Sequence, residues 1–479
     1  MVITCCSSSP SFSNKYSAQD VPGTLCSSNV TNAYVDIYLI FDLSSNTDAN
    51  KLRQITLSLA SELSQLQIAQ YNDQGQVWHR SRVSIITYAS TSNAVGNITT
   101  YNSLSDVTSA LLSLKVSNDS STNGLNAALQ LAYIMNQMTL SNIGWHRNPL
   151  YIIFSSSING MDTALITKYT NFNACWFNFK SCAGSLSTVN MNPKDSALTS
   201  FLSSFMTPSM NFSATDPNLY KNLEWAISQA NCECGTYQNF AFDTTTQRWT
   251  LYADCYDFTY NFDESDPIRP GSTADSTCAS LGREAAAYTF AMQNTPRINW
   301  FNYIALQGPD NFVPSSYIGL HRNSQNSWMW YDYDGSEFPL GNYQPWANGF
   351  NASSPGNCVL AVNNGTWQAP LYWQPASCLL TNTAYNYTFP PPHSKNVTNY
   401  MSVNCQSFAC DADLAYNCGW SFMDALPNNS SQQVKTKTQE FQLHHIKTIQ
   451  TNGKSFIYGR DIHKNEPMPK LFQPMEIKL

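Results

Sequence analysis

Oxygen donors gather at two points in the first half of the sequence. Asp42, Ser44 and Asn46 stand at alternate positions directly after the apolar run VDIYLIF (35–41), and Thr122 opens a later helical stretch. A carboxylate, an amide oxygen and two hydroxyls are hard donors of the kind that hold a divalent ion in an octahedron. Only Asp42 is anionic, so this set neutralises half the charge of a dication. The same residue types close turns and cap helices through the free N–H groups there, and that plainer reading stands beside the first. Enzymatic chemistry is not expected, because HExxH, G-x-S-x-G, G-x-G-x-x-G and P-loop signatures are absent. Asp332 and Asp334 are a pair of carboxylates of the kind that glycoside chemistry would need.

Those donors need elements to hold them. VDIYLIF reads as a strand buried on both faces of a parallel sheet, and RVSIITYAS (82–90) and NPLYIIFSSS (148–157) repeat that signature. Leu52, Ile55, Leu59, Leu63 and Leu66 recur at helical spacing after the first strand, and 122–138 supplies another helix. Alternating strand and helix predicts an α/β, doubly wound domain over 35–230, with ligand-bearing loops at the carboxyl edge of its sheet. A periodic helix through Leu219, Leu223, Ala226 and Ile227 closes it. From 232 to 389 the chain is rich in Tyr, Trp, Gly, Asn and Cys, and predicts an α+β, cross-linked module with one helix over 275–294. Residues 1–34 form a Cys/Ser-rich segment. Pro390 to Pro392 begin a spacer and Cys-containing segment to 424, and 425–479 is a basic tail read as disordered.

Composition narrows the function classes. The 479 residues carry only 12% charged side chains and a net charge of -7, which opposes a nucleic-acid partner. No run of about 18 apolar residues occurs, so no membrane-spanning helix is expected. Fourteen cysteines without repeated CxxC pairs favour cross-links over zinc and point to an oxidising, secreted setting. Glycosylation triplets begin at Asn29, Asn97, Asn118, Asn211, Asn351, Asn364, Asn386 and Asn396, with a further pair at Asn428 and Asn429. The first twenty residues contain no apolar secretory core, so export requires either a true start upstream of residue 1, which the cysteines and triplets favour, or an unconventional route.

The pattern over 35–230 resembles a von Willebrand factor A domain, whose metal site uses D-x-S-x-S, a Thr and a distal Asp. That resemblance implies magnesium on Asp42, Ser44, Asn46 and Thr122. The chain departs from it where Asn46 replaces a serine and Ser155-Ser156-Ser157 replaces the distal TDG, leaving Asp162 as the nearest later carboxylate. The second module is similar to a C-type lectin domain through Tyr317-Ile318-Gly319-Leu320, Trp328-Met329-Trp330 with Asp334-Gly335, Trp346-Ala347-Asn348-Gly349, Gly356-Asn357-Cys358-Val359-Leu360 and Trp373 to Cys378. Together they resemble secreted nematode proteins that join these two domains. The lectin resemblance implies a disulfide between Cys358 and Cys378 and a partner for Cys278 near the module's end, with Cys405 or another cysteine open. Cys232 or Cys234 then pairs with Cys255, and Cys175 with Cys182.

The family's calcium motifs are missing, with Asn351 and Gln374 as neutral donors in their place, so calcium is not expected. Sugar recognition then falls to Tyr343, Trp346, Asn351, Trp373 and Gln374, although core burial competes for the two tryptophans and a glycan on Asn351 would obstruct the same face. The implied function is extracellular recognition of glycans or glycoproteins, with protein ligands for the A-like domain and a role in adhesion or innate immunity. The alternative is a protein–protein adhesion or matrix component in which both metal sites are vestigial.

Overall fold

The computed structural model describes residues 23–69, 80–143, 147–159, 184–234, 237–259, 267–281, 288–296, 298–299, 315–333, 335–362, 371–379, 386–388, 396–398, 402–409, 446–451 and 454–459. The chain divides into two units, Met1–Ala425 and Leu426–Leu479.

In the first unit the amino-terminal domain is a six-stranded sheet in the order β3-β2-β1-β4-β5-β6. Its strands are β1 (Val35–Asp42), β2 (Arg82–Tyr88), β3 (Ser92–Gly96), β4 (Asn148–Ser155), β5 (Ser185–Asn190) and β6 (Asn211–Ser213). All pairings are parallel except β2 with β3. Helices α1 (Ala49–Leu63), α2 (Leu104–Ser113), α3 (Leu125–Ile143), α4 (Ser196–Ser203) and α5 (Leu219–Ala230) cover its faces. Alternation along β1 assigns the layers, because successive side chains of a strand point to opposite faces. Val35, Ile37, Leu39 and Phe41 pack with Leu52, Ile55 and Leu59 of α1 and Leu223 of α5, while Tyr38 and Ile40 pack with Leu125 and Leu129 of α3 and Leu198 of α4. Asp48 caps α1 by accepting from the N–H groups of Asn50 and Lys51.

At the amino-terminal edge of this sheet a charge cluster is buried. Arg82 donates twice to Asp36, at 2.6 and 2.5 Å, and Arg147 lies 3.9 Å from the same carboxylate with its guanidinium over the Tyr34 ring.

The remainder of this unit is built on a nine-stranded, mainly antiparallel sheet whose main path runs β12-β11-β10-β17-β8-β7. Its strands are β7 (Tyr237–Asp243), β8 (Arg248–Thr259), β9 (Tyr288–Phe290), β10 (Ser315–Arg322), β11 (Trp328–Tyr331), β12 (Glu337–Pro339), β13 (Cys358–Val362), β14 (Tyr372–Ala376) and β17 (Ser402–Phe408). A small pair, β15 (Asn386–Thr388) and β16 (Asn396–Thr398), stands apart. Disulfides join Cys234 to Cys255, Cys278 to Cys405 and Cys358 to Cys378. A fourth, Cys26 to Cys232, ties the segment preceding β1 to the residues following α5. The β7–β8 hairpin locks onto the first domain: Gln229 accepts from Leu251 N at 2.6 Å, Ser209 accepts from Trp249 N at 2.8 Å, and Arg248 stacks over Trp225.

Two expectations differ from the structure. Of the helix expected over 275–294, Thr273–Leu281 form α6, whereas Tyr288–Phe290 form β9 against β17, where β-favouring residues gain a ladder and a buried Phe290. The second module does not end at 389: β17, which carries Cys405, pairs with β8, β9 and β10 inside its sheet. In the second unit β18 (Ile446–Thr451) pairs antiparallel with β19 (Lys454–Gly459). Cys175, Cys182, Asp162, Asp334, Asn364, Asn428, Asn429 and Pro390 to Pro392 lie outside the described residues.

Candidate functional site

Three loops converge at the carboxyl edge of the first sheet: residues 43–48 after β1, 117–124 before α3, and 155–159 at the end of β4. Asp42, Ser44 and Thr122 are fully buried there, and Asn46 is exposed. The Asp42 carboxylate accepts from Ser44 N at 2.9 Å and from Ser156 N at 3.0 Å, and is further bonded by the Ser44 hydroxyl and the Ser157 backbone. Burial pushes this carboxyl above its ordinary value, while those donors pull it back. Those donors of the chain itself offset part of the burial cost, and the carboxyl stays above its ordinary value.

The neighbours are committed to each other. Asn46 Nδ2 donates to the Ser120 carbonyl at 2.6 Å and lies 3.3 Å from Ser44 Oγ. A carbonyl at that distance fixes which end of the amide faces it, so the nitrogen of Asn46 points inward where the resemblance had placed its oxygen. Thr122 donates through both N and Oγ1 to the Asn159 carbonyl at 2.8 Å, and Asn159 Nδ2 donates to the same Ser120 carbonyl at 3.1 Å. Thr47 Oγ1 donates to the Asp42 carbonyl at 3.0 Å and sits 2.8 Å from Ser156 Oγ. Gly124 lets the third loop close: a Cβ there would lie 2.7 Å from the Ala89 and Thr91 carbonyl oxygens. Thr47 and Asn159 were not singled out from sequence, whereas Ser156 was noted as standing where the family has a carboxylate. The Thr47-to-Asp48 cap was legible in principle as a helix start, whereas Asn159 has no sequence signal.

Tested against a hard dication, this donor set does not fit. It offers one carboxylate, whose lone pairs already receive chain donors, and an amide turned nitrogen-first. Among the described residues no group of three or more His, Cys, Asp and Glu side chains comes together.

The second module places its expected sugar contacts unevenly. Trp373 is fully buried, edge-on to Trp330, Tyr343 and Trp346, so its faces are not offered to a ligand. Core burial, the competing role expected for this residue, is what its surroundings match, and its Nε1 donates to Gln293 Oε1 at 3.3 Å. Tyr343, Trp346 and Gln374 are half-buried, with Gln374 in register with Leu360 between β14 and β13. Asn351 is exposed, and its Oδ1 accepts from Ser353 N at 2.8 Å within a loop whose Ala352 carbonyl is gripped by Arg322 and Trp328. Asn29, Asn97 and Asn118 are exposed, whereas Asn211 spends its amide on Thr188 and Ser203. Asn386 and Asn396 lie in β15 and β16.

A doubly wound α/β sheet with an oxygen-rich carboxyl edge defines the fold class of the first domain. Residues 36–166 match the model of the von Willebrand factor type A domain, so this chain carries such a domain. Domains of this class can bind a metal ion at that edge. The chain is similar in backbone to proximal thread matrix protein 1 of the mussel byssus, at 10% identity, covering 41% of this chain and 48% of that one with a TM-score of 0.33. The form of that protein with a zinc occupied MIDAS motif gives 13%, 42%, 47% and 0.32. A conserved hypothetical protein, BatB from Bacteroides thetaiotaomicron, gives 10%, 41%, 98% and 0.29. The chain spans about half the length of the mussel proteins. No curated protein sequence matches it.

Proposed function

We propose that this is an extracellular adhesion or matrix protein that binds protein ligands through the loops at the carboxyl edge of its A domain, with the second, disulfide-bonded module as an attached recognition surface. The observation that carries the reading is the A domain itself, with three ordered loops presenting polar groups at that edge. Four disulfides favour an oxidising, secreted setting, and no described helix is long and apolar enough to cross a membrane. Fold alone does not assign a ligand, so the partner class rests on the site.

A second reading keeps the C-type-lectin-like identity of the second module and its recognition of glycans or glycoproteins. It is favoured by the loop over 341–353, where Phe350 is 36% exposed beside the half-buried Tyr343 and Trp346. Burial of Trp373 and the neutral character of Asn351 and Gln374 weigh against a calcium-bridged sugar site there. Probing arrays of matrix proteins and of glycans with the intact, oxidised chain separates the two. Protein-only binding supports the first reading, and reproducible sugar binding abolished by Trp346→Ala supports the second.

A further inference from the structure

We infer that the A-domain edge is closed by the chain's own hydrogen bonds in the position where a divalent ion would otherwise join its loops, so that it engages partners without metal. The inference rests on the reading of this edge as the recognition surface. An ion at such a place does two jobs: it offsets buried carboxylate charge, and it ties together loops from different parts of the chain. Both are performed here by named groups.

Charge is offset at Asp42 by donors from Ser44, Ser156 and Ser157. Backbone and hydroxyl donors on a buried carboxylate supply part of the stabilisation that a cation would otherwise give. The ties form a triangle. Loop 43–48 is joined to loop 117–124 by Ser45 N to the Asp119 carbonyl at 2.7 Å, Ser117 N to the Leu43 carbonyl at 2.7 Å, and Asn46 to Ser120. Loop 117–124 is joined to loop 155–159 through Thr122 and Asn159. Loop 155–159 returns to loop 43–48 through Ser156 against both Asp42 and Thr47. Ser156, in the register where a second carboxylate would sit, is neutral and 3% exposed.

The exposed groups on the three loops set the partner's chemistry. Ser45, Asn46, Ser120, Asn123 and Asn159 are neutral amides and hydroxyls, while the Asp48 and Asp119 carboxylates on the same loops accept from the backbone N–H groups of Asn50, Lys51, Ser90 and Ser121. Such a rim pairs with peptide amides, hydroxyls and carbonyls of a protein surface, and gives no special reward to a lone carboxylate.

The test titrates manganese and magnesium into the intact, disulfide-bonded protein, reading heat and, for manganese, the electron paramagnetic signal of the free ion. Wild type gives no saturable binding and no shift in melting temperature with either ion. The double variant Asn46→Ser, Ser156→Asp adds a second carboxylate and releases the inward amide; its manganese affinity rises by roughly 100-fold or more, with a higher melting temperature in the ion's presence. Stoichiometric manganese binding by wild type overturns the inference. A double variant as silent as wild type also overturns it, since missing charge would then not be what excludes the ion. Capture of a protein ligand is read separately in chelator: a partner bound only when metal is restored overturns the inference, whereas blank protein arrays overturn the adhesion reading and leave the ion titration standing.

Discussion

Replacing Asp36 by Asn should destabilise the A domain more than any other single isosteric change at its sheet edges. Asp36 is 1% exposed and sits between two guanidinium groups, Arg82 at 0% and Arg147 at 1%. Arg82 makes a bidentate pair with it, and Arg147 is 3.9 Å away. Burial, then the like charge of Arg82, already depress Arg147 to about 10, with Tyr34 and Asp36 acting in the opposite sense. The amide keeps the shape of the carboxylate but removes the one anion that the described residues bring to Arg82 and Arg147. Breaking a buried pair by neutralising one partner costs about 3–5 kcal/mol, because the cations stay desolvated without compensation. For a domain of this size each kcal/mol is worth about 2–4 °C, so the melting transition should fall by about 6–20 °C. Differential scanning calorimetry of the oxidised protein measures it. Replacing all three residues together, Asp36→Leu with Arg82→Met and Arg147→Met, should recover most of the loss, since an apolar set of similar volume has no charge to strand. A D36N loss under about 1 kcal/mol, or a triple variant worse than the single, would refute the argument that stranded charge is what matters.

Other consequences can be checked in parallel. Glu62, pushed up to about 7 by burial and by neighbouring Glu224, holds a proton in the folded state that the unfolded chain releases near 4.5. Its contribution is therefore present at acid pH and lost as pH rises through about 7, and Glu62→Gln should flatten that slope and raise the melting temperature at pH 8 by the equivalent of at most about 1 kcal/mol at this half-exposed position. Trp373→Ala should cost about 3–5 kcal/mol in the second module, and Trp346→Ala clearly less, as read by urea titration. Removing the Cys26–Cys232 bridge with paired serines releases a closed loop of sequence separation 206 and should cost about 5 kcal/mol on the chain-entropy model, seen as a lower urea midpoint.

The sheet of the first domain was legible because its strands are buried on both faces and its helices carry clean apolar stripes; β1, β2, β4, α1 and α5 all follow that pattern. β3, β5 and β6 were not, since SNAVG, SLSTVN and NFS have short or mixed patterns that gain strand geometry only from neighbours. The helix expected through Tyr288 and Met292 shows the converse, a 3.6-residue period satisfied by chance in a segment that pairs with β17. Of the candidate site, Asp42, Ser44 and Thr122 were placed by the strand-to-loop transitions that carry them. The partners that decide its chemistry, Asn159 and the Thr47–Ser156 contact, lie in loops brought together only by the sheet. Charge count could be read from the residues, but the direction of the Asn46 amide depends on a carbonyl 74 positions away.

The most direct measurement is the binding of the intact, oxidised chain to side-by-side arrays of extracellular matrix proteins and glycans in the presence of chelator. The account predicts saturable capture by protein spots, lost when Asn46 and Asn123 at the A-domain rim are changed together to lysine, with the glycan spots blank. Capture by glycans alone, or by proteins in a manner indifferent to those rim residues, would contradict it.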